Sequence, residues 1–106
     1  MDQQVTSRHE VDAAGNPAGG RTTGTGIDIA WQNGPLAVTG LRLEATGAFV
    51  EGVIRAALER LQWYQKSKFA CLENALAITK LEEALYWCNY RTAGRERRGV
   101  EGTHQA

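Results

Sequence analysis

The sequence predicts an α+β fold: a small N-terminal β-hairpin followed by a long antiparallel two-helix hairpin, with copies assembled into an oligomer. Three observations carry this expectation. Residues 71–91 contain no Gly or Pro and are dense in Ala, Leu, Glu and Lys, the composition of one long helix. A second helical pattern starts near Thr46 and is joined to the first by a short connection, which makes the two helices antiparallel neighbours. Ahead of both, Ile27-Asp28-Ile29-Ala30-Trp31 alternates apolar and polar residues before Asn33-Gly34, a hairpin signal.

Taken in order, residues 1–25 are rich in Gly, Ala, Thr and Asn without an apolar period, which predicts a flexible N-terminal tail. Residues 26–104 form the expected β-hairpin plus helical-hairpin ligand-binding domain. Its strands are Ile27–Trp31 and Leu36–Leu41, turned by Gln32-Asn33-Gly34-Pro35. Two strands are marginal in water, so they must lie on the helices or pair with another subunit. In the first helix Phe49, Val50, Val53, Ile54, Ala57, Leu58 and Leu61 make the apolar stripe; Thr46 is the expected N-cap, and Gly47 and Gly52 weaken the first turns. Gln62–Ala70 is the expected connection, with Phe69 turned inward and Tyr64, Gln65 and Lys66 at the tip. In the second helix Ile78, Leu81, Leu85 and Cys88, widened by Ala75, Ala77 and Ala84, face a core. Tyr86, Trp87 and Tyr90 read either as further core or subunit interface, or as contact surface. The Gly-punctuated tail Arg95–His104 is ordered only by packing or by a ligand.

The chain has 106 residues, one domain at most, and its foldable part is small enough that copies are expected to complete the core. Twelve basic and twelve acidic side chains cancel, which argues against a binder of long nucleic acid or of membranes. Arg91, Arg95, Arg97 and Arg98 nevertheless make a local cationic patch, suited to phosphate or explained by the helix dipole. Cys71 and Cys88 lie roughly 25 Å apart along a helix, so they read as reduced, buried thiols of a cytoplasmic protein. Neither they nor His9 and His104 have metal-ligand spacing. There is no transmembrane-length apolar run and no signal-peptide core.

No nucleophile elbow, phosphate loop, His–carboxylate pair or carboxylate cluster occurs, so the expectation is a non-enzymatic protein without cofactor. Binding chemistry is present instead. Tyr64 can stack a base, Asn74 can hydrogen-bond a base edge or ribose hydroxyl, and Arg91 with Arg95, four apart, can fork onto phosphates. Asn74 and Arg91 are separated by 91 − 74 = 17 positions, roughly 25 Å along a helix, so a small ligand touching both needs two chains. Two other readings stay open: a small helical nucleic-acid-binding protein that uses the Arg-rich end, and a purely structural component whose aromatics are all interface.

The runs Trp31–Pro35, Leu61–Gln65, Glu73–Trp87 and Arg97–His104 resemble the small phage and prophage proteins of the Thoeris anti-defence type, which share a helical hairpin with the phage anti-CBASS sponge. Thr79-Lys80-Leu81-Glu82-Glu83-Ala84-Leu85-Tyr86-Trp87 is the most specific part. The resemblance implies a sponge in the host bacterial cytoplasm that binds cyclic ADP-ribose isomers of TIR-based immunity and does not cleave them. It further implies Tyr64, Asn74, Arg91 and Arg95 as ligand contacts, pockets between subunits, and a hexamer built from dimers. Relatives commonly carry Arg where this chain has Leu72, an arginine associated with a second pocket for cyclic di- or trinucleotides of CBASS immunity. Leu72 therefore puts that second specificity in doubt.

Overall fold

The computed structural model describes residues 3–38 and 40–106. The order of elements is β1 (Val5–Val11), β2 (Pro17–Gly24), β3 (Ile27–Ala30), β4 (Ala37–Val38), β5 (Leu41–Arg42), α1 (Val50–Gln65) and α2 (Leu72–Arg97). The chain is α+β, as expected, and divides into a strand unit, Met1–Phe49 with Val100–Ala106, and a helical unit, Val50–Gly99.

The strand unit corrects two expectations. The segment read as a flexible tail supplies β1 and β2, which pair antiparallel from Val5↔Gly24 to Val11↔Pro17. Its turn is closed by Asp12, whose Oδ1 accepts from the amides of Ala14 and Asn16 at 2.9 Å each. These bonds hold the Asp12 carboxyl below its usual range, with the Asn16 amide the largest cause. Second, Ile27–Ala30 does not fold onto residues 36–41. It pairs with β2 through the two-residue turn Thr25-Gly26, giving a three-stranded sheet ordered β1-β2-β3. The expected second strand instead turns back on itself as the short β4–β5 pair, Ala37↔Arg42 and Val38↔Leu41.

One face of the sheet is tied by a hydroxyl chain. Trp31 Nε1 donates to Thr22 Oγ1 at 2.8 Å, and Thr22 Oγ1 lies 2.9 Å from Ser7 Oγ. Thr22, the buried polar residue of this unit, is thereby satisfied. The opposite face is ionic, with Arg21 bidentate on Asp28 at 2.7 and 3.0 Å. Gly20 lets β2 pass close to β1: at φ 140° it occupies backbone space that a Cβ would fill 2.1 Å from the Arg8 carbonyl.

Beyond β3 the chain is held by Gln32 rather than by a hairpin. Its Oε1 accepts from the amides of Thr46 and Gly47 at 2.8 and 3.1 Å, while its Nε2 donates to the carbonyls of Asn33 and Gly34. Thr46 is consequently not the helix cap. Its hydroxyl is engaged by the amide and carbonyl of Asn33, and α1 begins four residues later. Gly47 lies so close to the Ala30–Trp31 backbone that a Cβ there would meet it at 2.6 Å, and this allows Trp31 and Ala48 to form a parallel bridge.

The C-terminal residues are ordered by packing. The Gly102 carbonyl accepts from the amides of Leu36 and Ala37 at 2.6 and 2.9 Å. Arg42 holds Glu101 bidentately at 2.7 and 3.1 Å, and Val100 is buried.

In the helical unit α1 runs to Gln65, past the expected start of the connection, and α2 runs through Gly94 to Arg97. Leu58 and Leu85 are its buried side chains, flanked by the half-buried Val53, Ile54, Leu61, Ile78, Leu81, Ala84 and Cys88. That is the predicted pair of stripes, with Phe49, Val50, Ala57 and Ala75 left outside them. Two further expectations of burial fail. Phe69 is 66% exposed because it sits in the connection rather than on a helix face. Cys71 is exposed because it precedes α2 in an extended conformation. No described helix is long and apolar enough to cross a membrane.

Candidate functional site

All four residues singled out in the sequence lie on the helical unit, at its two ends. Tyr64 occupies the last turn of α1 and is half-buried. Its carbonyl accepts from the amide and the hydroxyl of Ser67, at 3.0 and 2.6 Å, and the Ser67 hydroxyl accepts in turn from the Phe69 amide at 3.1 Å. Asn74, in the first turn of α2, donates through Nδ2 to the Phe69 carbonyl at 3.2 Å. Tyr64 and Asn74 are therefore fixed by one hydrogen-bonded turn. Asn74 has a structural task there, and its Oδ1 is the atom the turn leaves for other work.

Arg91 and Arg95 lie in the distal part of α2. Because the helix continues through Gly94, the pair sits on one face, as their four-residue spacing requires. Arg91 is exposed and Arg95 half-buried. The structure thus brings Tyr64 and Asn74 together and the two arginines together, and separates the pairs by roughly 25 Å of continuous helix within one chain.

Sequence reasoning missed two residues at the Tyr64 end. Arg60 places its guanidinium carbon 4.6 Å from the Trp63 ring centroid and 5.1 Å from that of Tyr64. The two rings lie 5.6 Å apart, tilted by 58°. The signal was present as an arginine three and four positions before a Trp-Tyr pair on a predicted helix. In a second aromatic cluster Trp87 packs edge to face with Tyr86 and Tyr90, at 5.2 and 5.8 Å between centroids, while Tyr86 and Tyr90 lie 6.1 Å apart and tilted by 32°; each residue is more than half exposed. Arg97 reaches to 6.0 Å of Tyr90.

An antiparallel helical hairpin that follows a small sheet unit in the chain, with stacking rings, Arg60 and an amide at one end and Arg91 and Arg95 toward the other, defines a helical-hairpin protein equipped with binding chemistry. The chain belongs to the family described as Acb2/Tad1, hairpin domain, whose sequence profile matches residues 24–93. That segment includes Tyr64, Asn74 and Arg91 and stops two residues short of Arg95. The chain is also 53% identical, over 77 residues, to a protein of Bacillus phage SBSphiJ7 named Thoeris anti-defense 1. The similarity covers 73% of this chain and 51% of that relative, so the chain spans about half the length of the curated relative it matches.

Proposed function

We propose that the protein is a phage anti-defence sponge that acts in the host bacterial cytoplasm. It binds cyclic ADP-ribose isomers of TIR-based immunity and holds them without cleavage, so that the signal never reaches its effector. The observation that carries this reading is the family match across Tyr64, Asn74 and Arg91, joined to the name of the phage relative. Geometry supports it. A base stacks on Tyr64, Asn74 reads a base edge or ribose, and Arg91 with Arg95 takes the phosphates.

The two ends of one hairpin lie too far apart for one such ligand, so the pocket is built from two copies, one giving the Tyr64 end and the other the arginines. The exposed Tyr86–Trp87–Tyr90 face, together with Leu72 and Leu76, is apolar surface of the kind that subunit contacts cover. A hexamer assembled from dimers is the expected state. No member of the site is a nucleophile paired with a base, and sequestration needs none.

The test is to mix purified protein with cyclic ADP-ribose isomers from an activated TIR-domain enzyme and separate bound from free. The protein is then heat-denatured and the released ligand analysed by mass spectrometry. Unchanged isomer is the expected result. Release of a cleaved product would make the protein an enzyme; failure to bind the isomers, with capture of a cyclic di- or trinucleotide instead, would move the reading to a CBASS sponge.

A further inference from the structure

We propose that Arg60 is a phosphate-binding cation of the ligand site, pre-positioned by Trp63 and Tyr64; this rests on the sponge reading above. The aromatic end of the hairpin has no guanidinium from Arg91 or Arg95 of its own chain, since these lie near the far end of α2. Arg60 supplies one. A single helical turn sets it against both rings, at 4.6 and 5.1 Å, within cation–π range. The described ion pairs do not include it, so no carboxylate competes for its donors. Lys68, the other cation placed over a ring at this end, lies 5.3 Å from Phe69 instead.

An arginine stacked on an aromatic ring keeps its in-plane N–H fork available at the edge, and loses less rotamer freedom when it closes on a phosphate. The Trp63–Tyr64–Arg60 cluster therefore fits a ligand that presents a planar base and a pyrophosphate a few ångströms apart. The rings take the base and the guanidinium takes a phosphate oxygen pair. Trp63, 55% exposed, offers the larger stacking face of the two rings.

The experiment titrates the full-length protein with the TIR-derived isomer mixture at low and high salt, using wild type, Arg60→Gln, Arg60→Lys, Arg91→Ala and, as a charge control on the same helix, Arg55→Gln. Helical content is checked by circular dichroism. Arg60→Gln is expected to weaken binding by about 10- to 100-fold, the range of a lost charge-assisted hydrogen bond, and to make the affinity less sensitive to salt. Arg60→Lys restores the salt sensitivity and part of the affinity, and Arg55→Gln behaves as wild type. If wild type binds and Arg91→Ala does not, while Arg60→Gln stays within about twofold of wild type, the sponge reading stands and the role of Arg60 falls. Equal losses in Arg60→Gln and Arg60→Lys with an unchanged salt dependence also overturn it, because Arg60 then only braces the rings. Absence of binding by wild type removes the sponge reading and this inference with it.

Discussion

Gln65 holds Cys71 by both of its backbone groups: the carboxamide Oε1 accepts from the Cys71 amide at 3.0 Å and Nε2 donates to the Cys71 carbonyl at 3.1 Å. This reciprocal pair spans the whole connection between α1 and α2. It closes a loop that is otherwise tied by the short-range bonds of Ser67 and by the Asn74 bond to the Phe69 carbonyl. Replacing Gln65 with Ala is expected to lower stability by about 1–2 kcal/mol, one modest contribution for each of two partly solvated bonds. Gln65→Glu is expected to cost at least as much, since it sets a second acceptor against the Cys71 carbonyl. Thermal melts of the three proteins decide the point, and equal melting temperatures would discard the clamp.

Asn74 and Arg91 are predicted to separate stability from binding. Asn74→Ala removes the donor to the Phe69 carbonyl and is expected to cost about 1 kcal/mol of stability as well as affinity. Arg91 is exposed, so Arg91→Ala is expected to leave the melt unchanged while weakening capture of cyclic ADP-ribose isomers by about 10-fold or more. Isothermal titration and melting on the same samples check both halves. Undiminished affinity in Arg91→Ala removes that residue from the site.

Gly20→Ala is predicted to break the β1–β2 pairing. The substitution both forces a side chain into φ 140° and drives a Cβ to 2.1 Å from the Arg8 carbonyl, so one strand must move. Hydrogen exchange measures this. Amides of β1 and β2 are expected to lose protection while those of α2 keep theirs.

Acid is predicted to loosen the sheet before the helices. Arg21 holds the Asp28 carboxyl below its ordinary value of 3.8, chiefly by their hydrogen bond, against a smaller desolvation effect. With the folded value depressed, this pair's contribution is fully present above about pH 3.8 and is lost as pH falls through the lower folded value. Arg21→Gln is expected to flatten that dependence. A pH series of amide chemical shifts in β2 and β3 reads it; identical profiles in the two proteins would rule the pair out as the cause.

The helices were legible because long runs of helix formers carry an apolar stripe, and Leu58 and Leu85 mark where the two stripes meet. The continuation through Gly94 was less visible, since a lone glycine weakens a helix without ending it. β1 and β2 were hidden for a definite reason. Val5–Val11 is exposed along its length, and Pro17–Gly24 is mostly Gly, Thr and Arg, so no large apolar face imposes a period on either strand. Asn33-Gly34 misled because the local turn chemistry was real while the pairing partner was not: Gln32 ties that turn to Thr46 and Gly47. At the site, the type and spacing of Tyr64, Asn74, Arg91 and Arg95 were readable. The Arg60–Trp63–Tyr64 cluster was overlooked because an isolated basic residue beside Glu59 reads as a solvated charge.

The strand unit takes its residues from both ends of the described chain, with Val100–Ala106 joining the first 49 residues, and so the helical hairpin is a cassette inserted into the sheet scaffold. A peptide cut between Ser67 and Ala70 would leave each helix covalently anchored to its own share of that scaffold, with the Arg42–Glu101 pair and the Gly102 carbonyl stitching the shares together. The two fragments are therefore natural candidates for complementation, and new termini placed in that connection would give a circular permutant whose strand unit is built from one continuous stretch of polypeptide.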